Sequence, residues 1–258
     1  MKSHLSTVRN KAQEQGRAAP VAVPCGQSTA CCCDTWETAY ARFATPEQEI
    51  RKFVKRLKKL GAVRWPRSAE IAELFCGRGN GLHALHTLGF TRLAGVDLSE
   101  ALLATYTGPV PCYVTDCRQL PFASCSKDIV IVQGGLHHLS TLPDDLEQTL
   151  LETKRVLRDG GRFVVVEPWL TPFLSFVHAV CRNPFARGLS KKIAALATMI
   201  AHEQRTYEQW LGQPQMILSL LAQYFRPDWY AIAWGKLLFV GRKESSRAGS
   251  VAEGALGE

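Results

Sequence analysis

Glu73-Leu74-Phe75-Cys76-Gly77-Arg78-Gly79-Asn80-Gly81 follows an apolar run, and Val96-Asp97-Leu98 answers it about twenty residues later. Glycines lack Cβ atoms, so the backbone there takes up positive φ and lets a ligand come close. The helix that such a turn opens presents unpaired N–H groups to an electron-rich ligand. A carboxylate at the end of the next apolar run, Asp97, is placed to accept hydrogen bonds from ribose hydroxyls. The stretch therefore predicts a nucleoside-containing ligand.

Outward from this turn the chain alternates strand-like and helix-like segments, the pattern of a parallel sheet covered by helices. Strands are expected near Glu70–Phe75, Arg92–Asp97, Cys112–Thr115, Asp128–Gln133 and Arg162–Glu167. The clearest helix is expected from about Pro143 to Leu157, with Leu146, Leu150, Leu151, Val156 and Leu157 on its apolar side and Asp159-Gly160-Gly161 ending it. Asp228–Trp234 and Lys236–Gly241, joined at Gly235, read as a terminal hairpin.

Upstream, Thr45-Pro46-Glu47-Gln48 is a helix start, with Thr45 as N-cap and Pro46 at the first helical position. Ile50, Phe53, Val54, Leu57 and Leu60 then recur at helical spacing, a stripe that should pack on the main domain. Arg51, Lys52, Lys55, Arg56, Lys58 and Lys59 fill the rest as a basic face, and Gly61 supplies the stop. Residues 1–33 show neither period and read as a disordered leader. Lys2, Arg9, Lys11 and Arg17 against only Glu14 give that leader the charge bias of a transit peptide, although a plain tail is the favoured reading. The expected organisation is leader 1–33, helical extension 34–66, main domain 67–243 and a disordered tail 244–258.

The formal charge of +8 is unevenly spread, because residues 1–66 hold 12 Lys/Arg against 5 Asp/Glu and leave the remainder nearly neutral. The main domain thus lacks a nucleic-acid footprint. Its nine cysteines are odd in number and embedded in apolar runs, which predicts a reducing, cytoplasmic setting rather than a disulfide framework. Cys31-Cys32-Cys33 beside Cys25 has no partner at zinc-site spacing, so no metal is expected. Apolar stretches such as Trp169–Val180 are interrupted by Pro172 and His178, which argues against a membrane span.

Together these motifs resemble the class I S-adenosylmethionine-dependent methyltransferases, especially the small-molecule and lipid-quinone type, over roughly Ser68 to Arg242. The resemblance implies a Rossmann-like, doubly wound, seven-stranded and mostly parallel sheet with a C-terminal antiparallel hairpin, here carrying an N-terminal helical extension. Glu73, Gly77 and Gly79 are similar to the family's first motif, which holds the methionine part of the cofactor. Phe75 stands where the family usually has its first glycine. Asp97, with Leu98 beside it, looks like the ribose-binding acid, and Asp116 with Cys117 like the pair at the adenine. Gln133 with Leu136-His137-His138-Leu139 resembles the fourth-strand motif. A nicotinamide Rossmann domain is the competitor, but Leu82 stands where GxGxxG needs a glycine or alanine.

The cofactor implied is S-adenosyl-L-methionine, and the partner is a small-molecule acceptor. His137, His138 and Glu167 lie at or beyond the carboxyl ends of their strands and are the candidate catalytic groups. Residues 169–212 form the expected acceptor lid, whose aromatic content favours a hydrophobic or aromatic acceptor. Trp169, Tyr207 and Trp210 are its candidate pocket residues. RNA or protein methylation through the basic helix is the first alternative, and a non-catalytic cofactor-binding partner is the second. The sequence leaves the oligomeric state open.

Overall fold

The computed structural model describes residues 34–245. The expected leader, its cysteine cluster and nearly all of the expected tail lie outside the described residues. Seven strands make one sheet: β1 (Ile71–Leu74), β2 (Leu93–Asp97), β3 (Cys112–Val114), β4 (Lys127–Gln133), β5 (Leu157–Pro168), β6 (Arg226–Ala233) and β7 (Lys236–Arg242). Their spatial order is β3-β2-β1-β4-β5-β7-β6. Neighbours among β1 to β5 pair in parallel, whereas β7 runs antiparallel to both β5 and β6. Trp234 and Gly235, both at positive φ, close the β6–β7 hairpin as a mirror-image turn requires. The strand order reverses between β1 and β4, the place where open α/β sheets bind ligands.

Among the described residues there are ten α-helices: α1 (Asp34–Phe43), α2 (Pro46–Lys59), α3 (Asn80–Thr87), α4 (Glu100–Ala104), α5 (Asp144–Val156), α6 (Pro172–Arg182), α7 (Pro184–Leu189), α8 (Lys191–His202), α9 (Gln204–Gly212) and α10 (Pro214–Tyr224). Strand parity divides the core into two layers. Ala72, Leu74, Val130, Val132, Phe163 and Val165 pack with Leu146 and Leu150 of α5 and Ile217 and Leu221 of α10. Ile71, Ile129, Ile131, Val164 and Val166 pack with Leu82 and Leu85 of α3 and Leu57 of α2. By the same parity Glu73 and Gln133 point to the second face and Glu167 to the first. All four residues of β1 are buried, Glu73 among them, as in a strand covered on both faces.

Several expectations need correction. Leu151 is 50% exposed, because the buried stripe of α5 runs through Leu146, Thr149, Leu150, Thr153 and Val156 and leaves Leu151 off it. The same helix ends at Val156, where the Leu157 N–H bonds to Thr153 O, and Asp159-Gly160-Gly161 instead lies within β5, where Gly160 N donates to Lys243 O at 2.9 Å. Arg56 does not belong to the basic face: it turns inward, and its Nη1 donates to Gln133 Oε1 at 3.4 Å.

The segment after β5 is a bundle of four helices, three of them started by capping side chains from Thr171, Asn183 and Ser190. Helix α1 packs on α8 and so joins this layer. Trp210 pins it to the sheet: fully buried, its Nε1 donates to Pro168 O at 2.9 Å and its ring lies edge-on to Trp169. Among the described residues, no helix is long and apolar enough to cross a membrane.

Candidate active site

The glycine turn leaves β1 through three left-handed residues, Phe75 (φ 55°), Gly77 (φ 50°) and Gly79 (φ 73°). Phe75 therefore holds a left-handed conformation that glycine adopts freely, at a strain of about 1–2 kcal/mol. Its ring explains a second glycine, since a Cβ on Gly135 would collide with it.

Glu73 is 3% exposed and takes one hydrogen bond, from Gln133 Nε2 at 3.0 Å to Oε1, while Oε2 is buried without a partner. Burial pushes its pKa up to about 7, against the opposing pull of Gln133 and Arg56. Asp97 ties the turn to β2, accepting from Gly77 N at 2.7 Å and from Ser99 N at 2.8 Å. Burial raises its pKa, and those N–H bonds hold the rise back. Leu98 beside it is exposed. Asp116 lies just past β3, and Arg118 bonds both of its oxygens. Burial works to raise the Asp116 pKa, but the Arg118 bonds outweigh it and keep the group below its usual range. The Cys117 thiol points away from solvent to Thr149 Oγ1 at 3.4 Å, and burial pushes it up to about 12.

A clamp that the sequence reading missed holds the turn from the other side. Glu49 of α2, only 8% exposed, accepts from Tyr40 Oη through both oxygens and from Asn80 Nδ2 at 2.6 Å. Arg78 stacks 4.3 Å over the Tyr40 ring and lies 3.7 Å from Glu49. The available signal was helical phase: Glu49 and Arg56 share the face of α2 that carries Phe53 and Leu60. Two charged residues on an apolar stripe mark a buried polar contact rather than a solvated face.

The histidines sit at the end of β4 in a short 3₁₀ turn, Leu136–His138. Glu167, with no exposed surface, accepts from Gly135 N and Leu136 N at 2.8 Å each and lies 2.7 Å from His137 Nδ1. Burial would neutralise Glu167, yet His137 and the two N–H donors keep its pKa low. Glu203, between α8 and α9, lies 3.6 Å from His137 Nε2 and 3.9 Å from His138 Nδ1. Burial works to lower the His137 pKa, but the two glutamates outweigh it and push the group up to about 9. Burial together with the His137 charge takes His138 down to about 4. Trp36 lies edge-on to His138 and Tyr207 edge-on to His137, at 6.4 Å and 5.8 Å between ring centroids. Of the three expected pocket residues, only Tyr207 reaches the histidines. Trp169 and Trp210 belong to the buried core, where they fasten the helices that follow β5.

The glycine turn fits an aminoacyl nucleoside. The unpaired Oε2 of Glu73 suits an ammonium group, and a Cβ on Gly77 would meet nothing nearer than Leu102 Cδ1 at 3.9 Å, so the backbone there is open to a ligand.

Comparisons with known proteins agree with this geometry. Residues 73–165 match the family described as Methyltransferase domain. The 27-O-demethylrifamycin SV methyltransferase of Amycolatopsis mediterranei is 24% identical over 195 residues, 72% of this chain and 68% of that protein. A ubiquinone/menaquinone biosynthesis C-methyltransferase of Geobacter sulfurreducens is 28% identical over 123 residues, 43% of this chain and less than half, 46%, of that protein. The fold matches a solved Pyrococcus horikoshii protein with a TM-score of 0.62 at 19% identity, covering 82% of this chain and 100% of that one. With the strand order, the glycine turn and its answering acids, these matches place the chain among the S-adenosyl-L-methionine-dependent methyltransferases.

Proposed function

We propose that this methyltransferase acts on a small, apolar or aromatic acceptor held beside His137 and His138, under α1, α8 and α9. The observation that carries this reading is the aromatic setting of the histidines, with Trp36 and Tyr207 edge-on to them and both largely buried. Such a lining favours a flat or hydrocarbon acceptor over a charged polymer. The relatives named for rifamycin and quinone substrates lend support to this class.

The bound cofactor supplies an electrophilic methyl group on a sulfonium, so the chain's own task is to align a nucleophile and exclude water. In this proposal Glu73 and the Gly77–Gly79 backbone hold the aminoacyl end, Asp97 the ribose hydroxyls and Asp116 the adenine edge. Gln133 braces Glu73 from β4. Glu167 positions rather than reacts: its bonds to Gly135, Leu136 and His137 fix the turn that carries both histidines.

The experiment is transfer of labelled methyl from S-adenosyl-L-methionine into fractionated cell extract. Label should enter the organic-soluble small-molecule fraction, and Asp97→Ala should abolish transfer together with cofactor binding. Label entering only RNA or protein would refute the acceptor class. Unchanged cofactor binding by Asp97→Ala would refute the site.

A further inference from the structure

His137, His138 and Glu203 bring three ligating atoms to within 4.8 Å of one another. A tetrahedral site with metal–ligand bonds of about 2.0–2.2 Å spaces its ligand atoms about 3.3–3.6 Å apart. Here Nε2 of His137 lies 3.6 Å from one Glu203 oxygen and Nδ1 of His138 lies 3.9 Å from the other, and with all three ligand atoms within 4.8 Å, side-chain shifts of up to about 1 Å bring the set to coordination spacing. Glu203 is 6% exposed, and its Oε1 is buried without a hydrogen bond. With two imidazole nitrogens facing this carboxylate, a divalent cation could take the place of the proton that His137 otherwise holds.

We propose that His137 Nε2, His138 Nδ1 and the Glu203 carboxylate bind one divalent cation of the Zn²⁺ class, with a fourth coordination position left open. The outer contacts match what such sites require. A ligating histidine usually gives its other ring N–H to a carboxylate, and His137 Nδ1 lies 2.7 Å from Glu167 Oε2. Glu167 is itself held by two backbone N–H groups. Two imidazole nitrogens and a carboxylate suit Zn²⁺ and its neighbours better than Mg²⁺ or Ca²⁺, which take oxygen sets. A divalent charge also balances the two buried carboxylates while both imidazoles stay in the neutral form that ligates. Two of the ligands lie at the end of β4 and the third at the α8–α9 junction, so the cation would staple the lid to the sheet. In its open position an acceptor hydroxyl would become more acidic. The sequence-based expectation of no metal weighed only the cysteine cluster.

The test uses the full chain stripped with a chelator. Cys25, Cys31, Cys32 and Cys33 would compete for the metal, so it is run in their Cys→Ser background. On titration with Zn²⁺ or Co²⁺ alone, one equivalent should bind, and the Co²⁺ form should show visible ligand-field bands without thiolate charge-transfer absorption. His138→Ala and Glu203→Ala should each weaken Zn²⁺ binding by at least about 100-fold, and Glu167→Gln by about 10- to 100-fold. His86→Ala, on the exposed side of α3, should change nothing. Binding of S-adenosylhomocysteine checks that each variant is folded, and Glu203→Gln replaces Glu203→Ala if that variant fails the check. Zn²⁺ binding that is absent, indifferent to His138→Ala and Glu203→Gln, or accompanied by thiolate absorption would overturn the site and leave a hydrogen-bonded His–Glu cluster. None of these readouts depends on methyl transfer.

Discussion

Two glutamates, Glu73 on β1 and Glu167 on β5, are buried on opposite faces of the same sheet, and burial leaves them in opposite states. Glu73 has one hydrogen-bond donor and an unpaired oxygen, and its pKa rises to about 7. Glu167 has two backbone donors and an imidazole, and its pKa falls despite equal burial. The number of donors decides the charge, because each bond to the ionised form offsets part of the desolvation cost. The cofactor end thus keeps a carboxylate poised to ionise against a cationic ligand. The histidine end uses a permanently charged one as scaffold.

The largest expected effect is at the scaffold. Glu167→Ala leaves Gly135 N, Leu136 N and His137 without their acceptor, and loss of one partner of a buried charged pair costs about 3–5 kcal/mol. Denaturant unfolding measures this directly. A loss under about 1 kcal/mol would mean that water or a neighbouring group replaces the carboxylate, and the contrast between the two glutamates would collapse.

Glu73→Gln tests the other half, with a sign that depends on pH. Glu73 titrates at about 7 in the fold against 4.5 ordinarily, so the unfolded chain loses its proton first as pH rises. Its contribution to stability is therefore fully present below pH 4.5 and is lost as pH climbs through 7. Removing the charge should leave stability unchanged near pH 4 and raise it at pH 8 by on the order of 3 kcal/mol, a melting shift of roughly 5–10 °C. Affinity for S-adenosylhomocysteine should move the opposite way: wild type should bind more tightly as pH rises through 7, and Glu73→Gln should be weaker and flat. A melting shift equal at pH 4 and pH 8 would sink this account.

These two regions also differ in how far the sequence exposes them. The glycine turn, Asp97 and the strand alternation are local patterns, and the structure repeats their spacing nearly residue for residue. Glu167 was visible as a strand-end acid, but its role as the acceptor for the turn was not, since those bonds come from backbone about thirty residues away. Glu203 carries no local signal at all, lying between α8 and α9 in a stretch that reads as ordinary helix. Arg56 and Glu49 were masked by a charge-rich helix whose phase, rather than its composition, decides which charges are buried. Trp169 and Trp210 misled as pocket residues because aromatic content does not distinguish a fastening from a lining.

A smaller effect is expected where the turn meets the histidine loop. A Cβ on Gly135 would strike the Phe75 ring, so Gly135→Ala should destabilise by about 1–3 kcal/mol. Phe75→Gly removes both the ring and the left-handed strain, so the double variant should recover most of that loss. A coupling energy below about 0.5 kcal/mol in the double-mutant cycle would show that Gly135 answers to something other than Phe75.

The smallest effect should come from reversing Lys52, Lys55 and Lys59 together. All three are exposed on α2, while the α2 residues that reach the site, Glu49 and Arg56, lie on its buried face. If the acceptor is a small apolar molecule, reversal changes only a solvated surface, and exposed substitutions of this kind stay within about 0.5 kcal/mol each. Methyl transfer at ordinary ionic strength should then change less than about threefold, with no new salt dependence. A polymer acceptor predicts otherwise, because each lost phosphate contact weakens binding and flattens its dependence on salt. Measuring transfer at two salt concentrations in wild type and the triple variant separates these outcomes. A steep salt dependence that the reversal removes would move the acceptor from the lid to the outer face of α2.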